Sequence, residues 1–80
     1  MPMKQIDVTP RMERLLDRAA DLGQETIGVR TVGTEQMLRA TLDDPEAVAT
    51  QVLAHVGALE AVKAELDRIM SSDRYRRTTR

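Results

Sequence analysis

Val32-Gly33-Thr34-Glu35-Gln36-Met37-Leu38 is the stretch whose reading decides the fold of this chain. It reads as a tight turn feeding a capped helix whose first turn carries a carboxylate. Gly33 can take a positive φ at little cost, Thr34 can cap the helix through its hydroxyl, and Glu35 then sits beside the positive end of the dipole. For a glutamate in that position, dipole compensation is the plain structural reading; a binding role is the other.

Outward from this stretch, apolar residues recur at helical spacing on both sides. Upstream, Thr9 is a good N-cap and Pro10 suits the first helical position, where its missing N–H would be an orphan in any case. Met12, Leu15, Leu16, Ala19 and Leu22 then mark one face, Ile27 closes it and Gly28 stops the helix. Gly23 is tolerated inside it, at a close helix contact, for ~1 kcal/mol. Val29 to Val32 is β-branched apart from Arg30. No second strand-like run exists to pair with it, so an extended connector is expected.

Downstream, the second helix starts at Thr34 and places Met37, Leu38, Thr41 and Leu42 on one side. Asp44-Pro45-Glu46 opens a third helix, with Asp44 as N-cap, Pro45 at the first position and Glu46 set against the dipole. Its inward residues are Val48, Ala49, Val52, Leu53 and Val56, and Gly57 ends it. A fourth helix follows, with Leu59, Val62, Leu66, Ile69 and Met70 inward, and fades at Ser71-Ser72. The expectation is therefore an all-α chain: an extended lead-in over 1–8, a compact bundle of four short helices over 9–72, and a basic flexible tail over 73–80.

Composition narrows the function classes. Eighty residues make one small domain, near the size at which a second copy often completes the burial, so self-association is expected. The 41% hydrophobic content includes no Phe, no Trp and one tyrosine, Tyr75, so the core must be aliphatic. Without cysteine there are no disulfides, thiolate metal sites or thiol nucleophiles, which fits a reducing cytosol. No apolar run is long enough for a signal peptide or a membrane span, so a cytoplasmic protein with no membrane partner is expected. A net charge of -1 argues against general affinity for nucleic acid.

Catalytic and metal-binding constellations are not legible. His55 is the only histidine and has no neighbouring Cys, His or carboxylate ligands, so packing at the surface explains it. Asp43, Asp44 and Glu46 cluster around a helix start, where capping accounts for them better than a cation cage does. Neither enzyme activity, a cofactor nor a metal is expected. A DNA-binding reading would use the second and third helices as a helix-turn-helix and Arg74, Arg76, Arg77 and Arg80 as an arm. Against it, the third helix offers Glu46, Thr50, Gln51 and His55 outward, with no Arg or Lys. A purely structural oligomerisation unit is the remaining alternative.

Three blocks together resemble one Clp N-terminal repeat, the helical module found in tandem at the front of Clp-family AAA+ unfoldases. They are Val8-Thr9-Pro10-Arg11, then Val32-Gly33-Thr34-Glu35-Gln36-Met37-Leu38, then Asp44-Pro45-Glu46-Ala47-Val48-Ala49 with Val52-Leu53, Gly57 and Leu59-Glu60-Ala61-Val62-Lys63. The second block is similar to the family's glycine-threonine-glutamate-histidine-leucine-leucine motif. The resemblance implies a four-helix unit, and a homodimer standing in for the tandem pair. It also implies a non-enzymatic protein-binding role, with Clp unfoldase or protease components, clients or adaptors as partners, because no Gly-x-x-x-x-Gly-Lys-Ser/Thr is present for ATP.

In some members the repeat recognises phosphorylated arginine. Carried over by position, the resemblance implies a peptide or phosphoarginine site of Thr9, Pro10, Arg11, Gly33, Thr34 and Glu35, with Glu35 on the guanidinium and Thr9, Pro10 and Arg11 near the phosphate. A carboxylate can take a bidentate bond from a guanidinium, and a helix N-terminus offers N–H groups to a phosphate. Gln36 stands where the family usually has histidine, and Arg39, one turn on from Glu35, is placed to pair with that carboxylate.

Overall fold

The helix opened by Thr9 and Pro10 is the longest element, α1, over Pro10–Ile27. Thr9 Oγ1 accepts from the Met12 N–H at 3.1 Å, and Pro10 lies in the first turn. The helix ends as its sequence dictates: Gly28 takes φ 77° and its N–H bonds the Gln24 carbonyl at 3.1 Å. The computed structural model describes residues 6–79; residues 1–5 of the expected lead-in and Arg80 of the expected tail lie outside the described residues. Ile6 to Thr9 form no regular element.

Two contacts set α2, Thr34–Leu42, antiparallel to α1. Near the end of α1, a Cβ built on Gly23 would fall 2.3 Å from the Thr31 carbonyl oxygen, so the connector's backbone rests directly on the helix. Near its start, Arg11 Nη1 donates to Asp44 Oδ2 at 2.6 Å, just beyond the end of α2. Between these, Ala19, Leu22 and Ala40 form the buried cluster, with Leu15 and Met37 packed against it. Small residues on both helices allow the close approach, and the core is aliphatic as expected.

At the start of α2, Gly33 is itself the N-cap and Thr34 is the first helical residue, so Thr34 does not cap. Gln36 Oε1 accepts the Gly33 N–H at 2.7 Å, the reciprocal half of a capping box. Nor does Gly33 take a positive φ; at φ -109° it is extended. Its requirement is space: a Cβ there would fall 2.6 Å from Glu35 Oε1 and 2.9 Å from Gln36 Oε1.

The third helix, α3, begins later than expected and spans Val48–His55, with Ala47 as N-cap. Asp44 caps a turn instead of the helix. Its Oδ1 accepts the Glu46 N–H at 3.0 Å, and its carbonyl accepts the Ala47 N–H at 3.1 Å, so residues 44–47 fold back before α3 starts. The face turned inward also differs. Thr50 is buried and donates through Oγ1 to the Thr41 carbonyl at 2.6 Å. Residues two and six positions away lie about 200–240° around the helix, which turns Val48, Val52 and Val56 outward. Ala49 is exposed as well, and only Leu53 of the five expected inward residues is half-buried.

At the end of α3, Gly57 takes φ 78°. Its N–H bonds the Ala54 carbonyl and the Ala58 N–H bonds the Leu53 carbonyl, at 3.1 and 2.9 Å, the paired bonds of a Schellman motif. The next helix, α4, over Leu59–Met70, buries Met70, half-buries Leu59, Val62 and Leu66, and leaves Ile69 exposed. Arg39 ties α2 to α4 through Asp67, with Nε to Oδ1 at 2.8 Å.

A fifth helix, α5, occupies Asp73–Thr79 where a flexible tail was expected. Ser72 starts it: its Oγ accepts the Tyr75 N–H and its carbonyl accepts the Arg76 N–H, both at 3.2 Å. Asp73 in the first turn and Arg76 and Arg77 in the last suit the dipole. The described chain is thus all-helical, with five helices and no strand among the described residues.

Candidate functional site

The start of α2 lies at a cleft of about 390 Å³, lined by Thr34 and Glu35 from α2's first turn, Leu38 one turn on, Leu66, Ile69 and Met70 from α4, and Tyr75 from α5. Leu38, Leu66 and Ile69 continue, with Val62 and Glu65, into a shallower apolar trough of about 250 Å³. The two form one groove between α2 and α4, acidic at the Glu35 end. Leu38 and Ile69 are exposed there, although their helical faces predict burial.

Beneath this groove sits Gln36, 1% exposed. Both ends of its amide are used: Oε1 on Gly33, and Nε2 donating to Tyr75 Oη at 2.7 Å. The residue where the resemblance leads one to expect histidine is therefore a structural bridge that holds α5 against the entry to α2. The sequence carried a signal for half of this, since Gln three residues after an N-cap glycine fits a capping box. Nothing in it announced Tyr75 as the second partner.

Arg39 does not pair with Glu35. Its guanidinium is bonded to Asp67 and Asp43. Burial alone would lower its pKa, but the Asp67 bond and the Asp43 and Asp67 charges outweigh that and leave it raised. Among the described residues the Glu35 carboxylate has no ion-pair partner; Glu35 lines the cleft, with its Oε1 lying close over Gly33.

Thr9, Pro10 and Arg11 lie elsewhere. Arg11 lines a separate cleft of about 520 Å³ with Arg14, Leu15, Arg18, Ala40, Asp43, Asp44 and Glu46. From Glu35 to Asp44, Arg11's partner, is roughly 13 Å along α2 at about 1.5 Å per residue. From Gly23 back to Thr9 is roughly 21 Å along α1 on the same scale. The structure brings Gly33, Thr34 and Glu35 together and sets Thr9, Pro10 and Arg11 at the opposite end of the helix pair. In that second cleft the Arg11 hydrogen bond, then the Glu46 N–H, hold the Asp44 carboxyl below its usual range. Two of the three acids of the sequence cluster are thus answered by cations: Asp44 by Arg11, and Asp43 by Arg39 and, at 4.0 Å, Lys63.

His55 is exposed, at the end of α3. No group of three or more His, Cys, Asp or Glu is arranged to hold a metal ion among the described residues, and none of their helices is long and apolar enough to cross a membrane. Compared with known proteins, the chain matches no family model, no curated protein and no solved structure. What fold and site define is an all-helical domain with an apolar groove ending in a carboxylate that has no ion-pair partner among the described residues.

Proposed function

We propose that this chain is a non-enzymatic, cytoplasmic protein-binding module, similar in role to the substrate- and adaptor-docking N-domain of Clp unfoldases. Its groove takes client segments that carry an arginine or phosphoarginine next to apolar residues. One observation carries this reading: the Glu35 carboxylate, without an ion-pair partner among the described residues, stands at the end of a trough of exposed Leu38 and Ile69. A guanidinium can bond a carboxylate through two parallel N–H donors, and the apolar side chains beside it would cover the trough. The three-block resemblance supports the same reading, and the arginine and phosphoarginine ligands are taken from it.

The proposal assigns the guanidinium to Glu35 and takes no phosphate contact from Thr9, Pro10 and Arg11 of the same chain, since they lie at the other end of α2. Calorimetric titration with two peptides, one with arginine and one with phosphoarginine before a leucine pair, tests it. Glu35→Gln is expected to weaken binding about tenfold, the loss of one charged bond worth about 1.4 kcal/mol. Equal affinity of the two proteins would remove Glu35 from the account, and no binding of either peptide would end the reading.

A further inference from the structure

One segment of the chain already sits at the Glu35 cleft. α5 has only seven residues, Asp73–Thr79, below the length at which a helix stands alone in water. It rests against α1 and α4. From Asp73 to Arg77 only Tyr75 is half-buried; Asp73, Arg74, Arg76 and Arg77 are exposed. Tyr75 is also the one α5 residue that lines the cleft with Thr34, Glu35 and Leu38, and its hydroxyl accepts from Gln36 at 2.7 Å. We propose that α5 is an autoinhibitory strap: it occupies the Glu35 end of the groove in cis and must be displaced before a segment of another chain binds there. The inference rests on the reading of the groove as a peptide site.

Two observations make α5 an occupant of the groove and not a fixed wall. The first is its chemistry. Arg74-Tyr75-Arg76-Arg77 sets an aromatic ring among guanidinium groups, the same pairing of apolar and cationic groups that suits a trough of Leu38, Leu66 and Ile69 ending in the Glu35 carboxylate. The second is charge. Asp73 to Arg80 carries four arginines against one acid, whereas the preceding body carries eight basic side chains against twelve acidic ones. Docking of the segment is therefore favoured by an attraction that salt weakens.

A short terminal helix with one half-buried side chain belongs to the low end of the stability scale, where local opening precedes global unfolding. While it is closed, a site lowers the apparent affinity of its ligand by the fraction of molecules that are open. The joint at Ser71-Ser72 keeps Tyr75 near the cleft at an effective concentration of about millimolar, which a free segment has to outcompete. Release of α5 withdraws the Tyr75 wall and leaves Gln36 Nε2 as a donor for the incoming chain.

Two full-length variants release the strap by different routes. Tyr75→Ala removes the side chain seated at the cleft. Arg76→Pro unwinds α5 at an exposed position, removing the N–H that the Ser72 carbonyl accepts, and keeps every side chain that lines the cleft. Both are expected to bind the arginine peptide with its leucine pair at least tenfold more tightly than wild type. In wild type, saturation with that peptide is expected to speed amide exchange at Arg76 and Arg77 at least threefold. A synthetic peptide of Asp73–Thr79 is expected to shift the Gln36 side-chain amide resonances of Tyr75→Ala at millimolar concentration and to leave those of wild type in place. Slower exchange at Arg76 in the complex overturns the proposal, as does failure of every peptide to bind either variant. Equal affinity of the arginine peptide for wild type and both variants overturns the strap and leaves the client reading standing. Binding of the Asp73–Thr79 peptide to Tyr75→Ala alone, with no arginine peptide bound by any form, supports the strap and ends the client reading.

Discussion

Tyr75 on α5 accepts a 2.7 Å hydrogen bond from the buried amide of Gln36 on α2, across 39 positions of sequence. The same amide caps the first turn of α2 through Gly33. The C-terminal helix and the entry to the candidate site therefore share one side chain. Tyr75→Phe keeps the ring and removes the acceptor, leaving a buried N–H unsatisfied. It is expected to cost about 1–2 kcal/mol in urea unfolding; unchanged stability would mean that the bridge contributes nothing.

Gly23→Ala separates helix propensity from packing. In an exposed helix interior the change is worth about 1 kcal/mol in favour of alanine. Here the added methyl would lie 2.3 Å from the Thr31 carbonyl oxygen, a backbone atom that cannot swing aside. A net destabilisation of about 2 kcal/mol is expected, as for other overpacked sites, and the unfolding midpoint reads it.

Acid should act through Asp44. The Arg11 bond first, and the Glu46 N–H after it, depress this carboxyl in the folded chain. Its contribution is therefore fully present above its unfolded pKa, near 3.8, and is lost as pH falls through the lower folded value. In that window the unfolded chain binds more protons, so stability rises with pH. Asp44→Asn is expected to flatten that part of the stability–pH curve, measured by denaturation from pH 2 to 6.

Arg39 and Asp67 link α2 to α4 through a side chain that is only 19% exposed on the arginine side. A double-mutant cycle with Arg39→Met and Asp67→Asn is expected to give a coupling of about 0.5–1 kcal/mol, reduced by salt. Because Arg39 is not held by Glu35, Arg39→Met should leave peptide affinity within about twofold. A marked gain would show that Arg39 competes for the carboxylate.

Local signals in the sequence were legible in part: the N-caps expected at Thr34 and Asp44 are held instead by Gly33 and Ala47, while other caps stand as read. Thr9-Pro10 and Gly28 bounded α1, and the Gly57 stop appears as a Schellman motif, because caps depend on neighbours a few residues away. Gly23, expected at a close helix contact, is a close contact with the connector backbone at Val29 and Thr31 instead. Faces were harder to read. The valines of α3 have the period of a buried stripe, yet Thr50 claims the inward position by bonding a carbonyl on α2, a partner that no spacing rule reveals. Ser72-Asp73 was a legible helix start in retrospect, but α5 also has Tyr75 seated on Gln36, a long-range pairing. Of the candidate site, Glu35 could be singled out by position; the groove beside it arises from α4, and its separation from Thr9 and Arg11 follows from the antiparallel run of α1 and α2.

Tyr75 is the chain's only aromatic residue, and it lines the cleft that Glu35 closes. Its intrinsic emission is therefore a built-in optical probe, with no background from any other ring. Occupancy of the cleft, or detachment of the last helix, registers in unlabelled protein as a change in a single fluorophore.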